Sequence, residues 1–147
     1  MYRKILVALD ASKADESLLP HIAKLAKLLS SKLLLLHVAD GWAARNFDQL
    51  QLAESEEMKT DRQYLEKTAE ALRAQGLHVE TKLALGDPPT EVLKTAQAEQ
   101  CDLIAMTTHG HRLVGDIFFG STIETVRHAS KIPLLIVRSA DKPVPIV

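Results

Sequence analysis

Five short apolar runs suited to β-structure punctuate the chain: Ile5–Leu9, Leu33–Val38, Val79–Leu85, Leu103–Met106 and Leu134–Val137. Apolar residues at helical spacing separate them. Leu18, Ile22, Leu25 and Leu29 recur every three to four residues, and Leu65, Ala69 and Leu72 do the same. Val92, Leu93 and Ala96 mark a third helix, with Asp87 placed to cap it and Pro88 at its first position. Ile123, Val126 and Ala129 mark a fourth, which must stop before Pro133. Strands that alternate with helices join through crossovers, and this requires a mostly parallel sheet with helices on both faces. The first, second and fourth runs are almost wholly apolar, as in strands covered on both sides. In the third, Val79, Thr81, Leu83 and Leu85 alternate with His78, Glu80, Lys82 and Ala84, which reads as a half-exposed edge. The strand order 3-2-1-4-5 satisfies both patterns. The expectation is one doubly wound α/β domain over residues 1–147, built on a five-stranded sheet.

A chain of 147 residues fits one domain and can bury a core without disulfides or metal. The net charge of -1 excludes global attraction to nucleic acid or to an anionic membrane. Cys101 is the single cysteine, which excludes an intramolecular disulfide and fits a reducing compartment. It reads as a small buried residue at the start of a strand. The first apolar run is too short for a signal peptide and ends in Asp10, and no run reaches the length of a membrane span. A cytoplasmic protein with no membrane or nucleic-acid partner is expected. The stretch Ala39–Glu57 is long for a strand-to-helix connection and holds the only tryptophan, Trp42. It reads either as a binding loop or as a roof in which Trp42 and Phe47 cover the sheet. The tail Asp141–Val147 holds two prolines and should be extended.

Open α/β sheets bind ligands beyond the carboxyl ends of their strands, where the strand order reverses. In the order 3-2-1-4-5 that point lies between the first and fourth strands. Asp10 follows the first. Its carboxylate can accept from a ribose hydroxyl or a base amino group, or it can cap the turn or helix that follows. After the fourth strand, Gly110, Gly115 and Gly120 supply three of the six glycines. Glycines allow backbone amides close to a phosphate, and a helix starting near Gly120 and Ser121 would aim free N–H groups there. Ser121 and Thr122 add hydroxyls. The spacing from Gly115 to Thr122 imitates a P-loop but lacks its lysine, and no G-x-G-x-x-G occurs. P-loop NTPase and dinucleotide-binding assignments therefore fail. His109 and His111, with Asp116 nearby, lack a third His or Cys for a dedicated metal site. His37 reads as a satisfied core histidine, and His21, His78 and His128 as surface residues. No G-x-S-x-G elbow supports a catalytic triad.

The segments KILVALDAS, LLLLHV, GDPPTEVLKTAQAEQCDLIAMTTHG and GSTIETVRHASKIPLLIVR, in this order, resemble the universal stress protein family over nearly the whole chain. The ATP-binding branch of that family carries G-2x-G-9x-G-[ST] after its fourth strand. Here Gly110 is the second glycine, and nine residues lead to Gly120 and Ser121. Thr107 stands at the first glycine and adds a methyl and a hydroxyl. Gly86 matches the glycine after the family's third strand, where a turn explains it. The resemblance implies an adenine pocket involving Asp10 and Val38 and phosphate contacts from Gly110, Gly120, Ser121 and Thr122, with Thr107 at the same corner. The implied cofactor is ATP or another adenine nucleotide. Magnesium, where bound, would be held mainly by the phosphates, with Asp10 or Asp116 reaching it through water. The implied function is a stress-response or signalling module, not an enzyme. Slow ATP hydrolysis is compatible with this, but no base and charge clamp for fast turnover can be identified. The alternative is a dimeric interaction protein with a vestigial pocket and no nucleotide. A homodimer through Leu134, Leu135, Ile136 and Val137 is expected either way, because this apolar run would otherwise be an open sheet edge. Val144, Ile146 and Val147 would extend the contact. A further protein partner is implied but not identified.

Overall fold

The computed structural model describes residues 1–39, 56–108 and 120–139. These form β1 (Lys4–Leu9), α1 (Asp15–Leu29), β2 (Lys32–Ala39), α2 (Glu56–Arg73), β3 (Val79–Leu85), α3 (Pro88–Ala98), β4 (Leu103–Thr108), α4 (Gly120–Ala129) and β5 (Leu134–Arg138). The sheet has the order β3-β2-β1-β4-β5, and all four pairings are parallel. This is the order expected from the apolar patterning. Trp42, Phe47, the glycine loop from His109 to Phe119 and the tail from Asp141 lie outside the described residues.

Successive strand residues point to opposite faces, and both faces are covered. Ile5, Val7 and Leu9 of β1 join a core layer with α1 and α2, through Leu18, Ile22, Leu65 and Ala69. Leu6 and Ala8 join a second layer with α3 and α4, through Val92, Ala96 and Val126. β1 is buried from Ile5 to Leu9 because both layers close over it. β3 alternates in exposure up to Leu83, as an edge strand covered on one face does. β5 is the other edge; its Ile136 is 38% exposed.

Local chemistry explains the helix ends. Asp87 is extended and its carboxylate accepts from the amide of Thr90, while Pro88 sits at the first helical position of α3. Gly86 precedes it at φ +142°, a conformation that needs glycine, and there an added Cβ would lie 3.2 Å from Glu91 Oε1. Ala129 is exposed although it was expected on the buried stripe with Ile123 and Val126. Each three-residue step lags a helical turn by about 60°, so Ala129 lies about 120° round from Ile123. Cys101 is buried, and burial pushes its thiol up to about 11, as befits an unreactive core residue.

Charges pin the amino ends of the strands. Asp102, just before β4, accepts from the amides of Arg3 and Lys4 at 2.9 and 3.0 Å. The Lys4 ammonium bridges Glu80 of β3 and Glu99 after α3, each at 2.9 Å. Partial burial opposes ionisation of Asp102, but hydrogen bonds from backbone amides, those of Arg3 and Lys4 among them, outweigh it and hold its carboxyl below its ordinary value of 3.8. A lowered folded pKa contributes stability that is present above 3.8 and is lost as pH falls through the folded value. Asp102→Ala should therefore cost about 1 kcal/mol near neutrality, modest because the group is partly solvated. Urea unfolding should show this deficit shrinking as pH drops below 3.8. A deficit that does not change with pH would assign the contribution to packing.

Candidate functional site

The switch point lies between β1 and β4, where β2 and β3 continue the sheet on one side and β5 on the other. β1 pairs with β4 from Ile5↔Leu103 to Val7↔Ala105. Carried two residues further, this register sets Leu9 level with Thr107. Asp10 follows immediately and is 7% exposed. β1 pairs with β2 as far as Leu9↔His37, one residue short of Val38. The Val38 side chain is fully buried in the second core layer, and Val38 pairs with Ala84 of β3.

Asp10 does not cap α1. That helix starts at Asp15 after Ala14, with no side-chain cap at Ala14. Ser12 Oγ instead donates to Asp10 Oδ2 at 3.0 Å and accepts from the amide of Ala14 at 3.2 Å. The loop is organised by Asp15, which is fully buried. Asp15 Oδ1 accepts from the amide of Asp10 and Oδ2 from the amide of Ala11, each at 2.9 Å. Tyr64 of α2 donates its hydroxyl to Asp15 Oδ2 at 2.6 Å. Ala11 sits at φ +59°, a left-handed conformation that costs a non-glycine residue about 1 kcal/mol. The carboxylate supplies the compensating bonds. Burial pushes the Asp15 carboxyl above its usual range against the pull of Tyr64 and the two amides, and the neighbouring Asp10 charge adds to the rise. Burial and the charge of Asp15 also raise the Tyr64 phenol, so it stays a donor.

His37 of β2 is 3% exposed and satisfied, as expected. Its Nδ1 lies 2.9 Å from the carbonyl oxygen of Leu9. A carbonyl only accepts, so Nδ1 carries the hydrogen. Nε2 lies 3.4 Å from Asp61 Oδ2 of α2.

Thr107 is fully buried, and its Oγ1 has no hydrogen-bond partner among the described residues. Leu103 and Ala105 face the α1 and α2 layer, so alternation turns the Thr107 side chain to that layer too. Gly120 and Ser121 open α4, and Thr122 is buried in its first turn. The first amides of a helix have no partner within it and carry its positive dipole end. Gly110 lies outside the described residues. The structure thus brings Asp10, the end of β2 and Thr107 to one end of the sheet. Asp15, Tyr64 and Asp61 are additions that the sequence reading missed. An acidic residue in a first helical turn was the one available signal for Asp15. Among the described residues, a groove of about 350 Å³ between α1 and α2 is lined by Leu19, Ala23 and Leu72 and carries none of the candidate residues. No described helix is long and apolar enough to cross a membrane.

Comparison with known proteins bears on this arrangement. Residues 1–138 match the profile of the universal stress protein family. Universal stress protein MJ0577 of Methanocaldococcus jannaschii is 28% identical, over 94% of this chain and 96% of the relative. A universal stress protein of Thermus aquaticus is 31% identical, over 94% of this chain and 100% of its own length. The solved structure of MJ0577 superposes with a TM-score of 0.76, covering 97% of this chain and 99% of that one. Two more distant structures share the fold. One is an Archaeoglobus fulgidus universal stress protein in complex with dAMP, with TM-score 0.69 and 20% identity, covering 92% of this chain and 98% of that one. The other is a universal stress protein in complex with cAMP, with TM-score 0.66 and 18% identity, covering 95% and 98%. With the expected strand order in place and the family profile matched from the first residue to the end of the last strand, this chain belongs to the universal stress protein family.

Proposed function

We propose that the chain is a stress-response or signalling module that binds an adenine nucleotide, ATP foremost, at the carboxyl ends of β1 and β4. The observation that carries this reading is the buried carboxylate of Asp10 at the switch point. The Gly120-Ser121-Thr122 helix start, in the family's motif position, adds a phosphate site. The family relatives in complex with dAMP and cAMP support the same ligand class. In this reading the adenosine end lies towards Asp10 and Val38. The phosphates lie towards Gly110, Gly120, Ser121 and Thr122, and hold most of any bound magnesium. Thr107 contributes backbone at that corner, since its side chain turns into the α1 layer.

Backbone donors dominate such a phosphate site, so affinity is expected to be micromolar, about 8 kcal/mol. Calorimetry with ATP, ADP, AMP and a cyclic nucleotide decides this: no heat at millimolar ligand rejects the site. Gly120→Val should abolish binding with the sheet intact, Asp10→Ala should weaken it about tenfold, and Thr107→Gly should leave it equal or tighter. Loss of affinity in Thr107→Gly would show that the threonine is a working contact.

The chain is not a fast ATPase in this reading, because it lacks the P-loop lysine and an identified base. Phosphate release should stay well below the roughly one per second of dedicated kinases, and release at or above that rate contradicts the assignment. We place the protein in the cytoplasm, on its single buried cysteine and the absence of a membrane-spanning helix among the described residues.

The second reading is an interaction module with a vestigial pocket, favoured by Thr107 at a family glycine. Both readings include a homodimer through β5. Leu134, Leu135 and Val137 are only partly buried in the single chain, and Ile136 is exposed on an edge that is unpaired among the described residues. Light scattering at micromolar concentration should report a dimer, and Ile136→Lys should weaken it before it unfolds the domain. A wild-type monomer under those conditions rejects the dimer.

A further inference from the structure

Two buried side chains hold the peptide group between Leu9 and Asp10 from opposite sides. Its carbonyl oxygen takes the Nδ1–H of His37 at 2.9 Å. Its N–H donates to Asp15 Oδ1 at 2.9 Å. The next peptide group is held as well, because the N–H of Ala11 donates to Asp15 Oδ2 at 2.9 Å. Asp10 Cα lies between these two peptide groups. When both are fixed, the direction of its Cα–Cβ bond is fixed too, and only side-chain rotation is left. Ser12 Oγ restrains that rotation through Asp10 Oδ2.

Both holders face one helix. Tyr64 donates to Asp15 at 2.6 Å, and Asp61 lies 3.4 Å from His37 Nε2. Asp61 and Tyr64 are three residues apart on α2 and share one side of it. We infer that α2 positions the Asp10 carboxylate for its ligand through Tyr64 and Asp15 on the amide side, opposite the bond that His37 makes on the carbonyl side. Asp15 and Tyr64 are thus positioning residues of the nucleotide site, and the inference rests on the nucleotide reading above. The loop is poised to respond when the clamp is released. Ala11 is left-handed, and its amide is bonded to Asp15. Once that bond weakens, the strain favours a relaxed backbone, and Asp10 moves with it. Sites of this kind depend on supporting hydrogen bonds to hold their contact groups in place.

The test is a double-mutant cycle read by calorimetry with ATP on the full chain. Tyr64→Phe removes one oxygen atom from α2 and leaves Asp10, Ser12 and Asp15 unsubstituted. It should weaken ATP binding about tenfold in the wild-type background. In the Asp10→Ala background it should weaken binding less than about twofold, because the group it positions is gone. Amide hydrogen exchange gives a second readout. Exchange at Asp10 and Ala11 should accelerate in Tyr64→Phe while Leu6 to Ala8 remain protected as in wild type. If Tyr64→Phe does not fold, Asp15→Asn serves in the same cycle. Equal losses in both backgrounds, or unchanged ATP affinity in Tyr64→Phe, overturn the inference while the nucleotide reading stands. Absence of ATP binding by the wild type rejects the nucleotide reading and this inference with it.

Discussion

A parallel sheet cannot close through hairpins, so each strand must be reached by a crossover, and the crossing helices bury both faces of the sheet. Polar chemistry is thereby driven to the strand ends. In this chain the central strand β1 is buried from Ile5 to Leu9, and charged or hydrogen-bonding side chains cluster before and after it. The two ends use different physics. At the amino end, Lys4, Glu80, Glu99 and Asp102 form partly solvated ion pairs and amide contacts that tie β1 to its neighbours. Pairs of that kind contribute little individually and fix register more than they add stability. At the carboxyl end, Asp10, Asp15 and His37 are buried, and each makes hydrogen bonds there. Buried polar groups are costly unless satisfied, so their bonds define one loop conformation.

The same logic bears on Thr107. Its hydroxyl is buried without a partner among the described residues, a condition that costs about 1–3 kcal/mol. The family motif has glycine at that position. A glycine there would carry no such penalty, and strand alternation directs the Thr107 side chain to the face that Leu103 and Ala105 share. The departure from the motif therefore places a buried, unpartnered hydroxyl at the end of β4.

Much of the fold was legible because it follows from local pattern. Three apolar runs without alternation and one with alternation fixed which strands are central and which is an edge. Asp87 and Pro88 announced the start of α3 for a reason contained in four residues. What was not legible depends on distant pairing. Asp15 meets Tyr64 across 49 positions, and Asp102 meets Arg3 across 99. No spacing rule connects such residues before the chain is folded. Asp10 was read as either a cap on the turn or helix that follows or a ligand contact, and a cap on α1 is ruled out because that helix starts four residues later than one capped by Asp10 would. Of the proposed site, Asp10, Thr107 and the Gly120-Ser121-Thr122 turn were chosen from position relative to the strand ends and from the motif, and Val38 from the family resemblance. The contacts of Asp15 and Tyr64 behind Asp10 needed the fold.

The most direct measurement of the central claim is an amide NMR titration of the full chain with ATP. The account predicts saturable shifts at Asp10, Ala11, Val38 and Gly120 to Thr122, with residues at the amino ends of the strands, such as Lys4 and Asp102, unmoved. Saturable shifts confined to the α1 and α2 groove around Ala23 and Leu72, or no shifts at millimolar ATP, would contradict it.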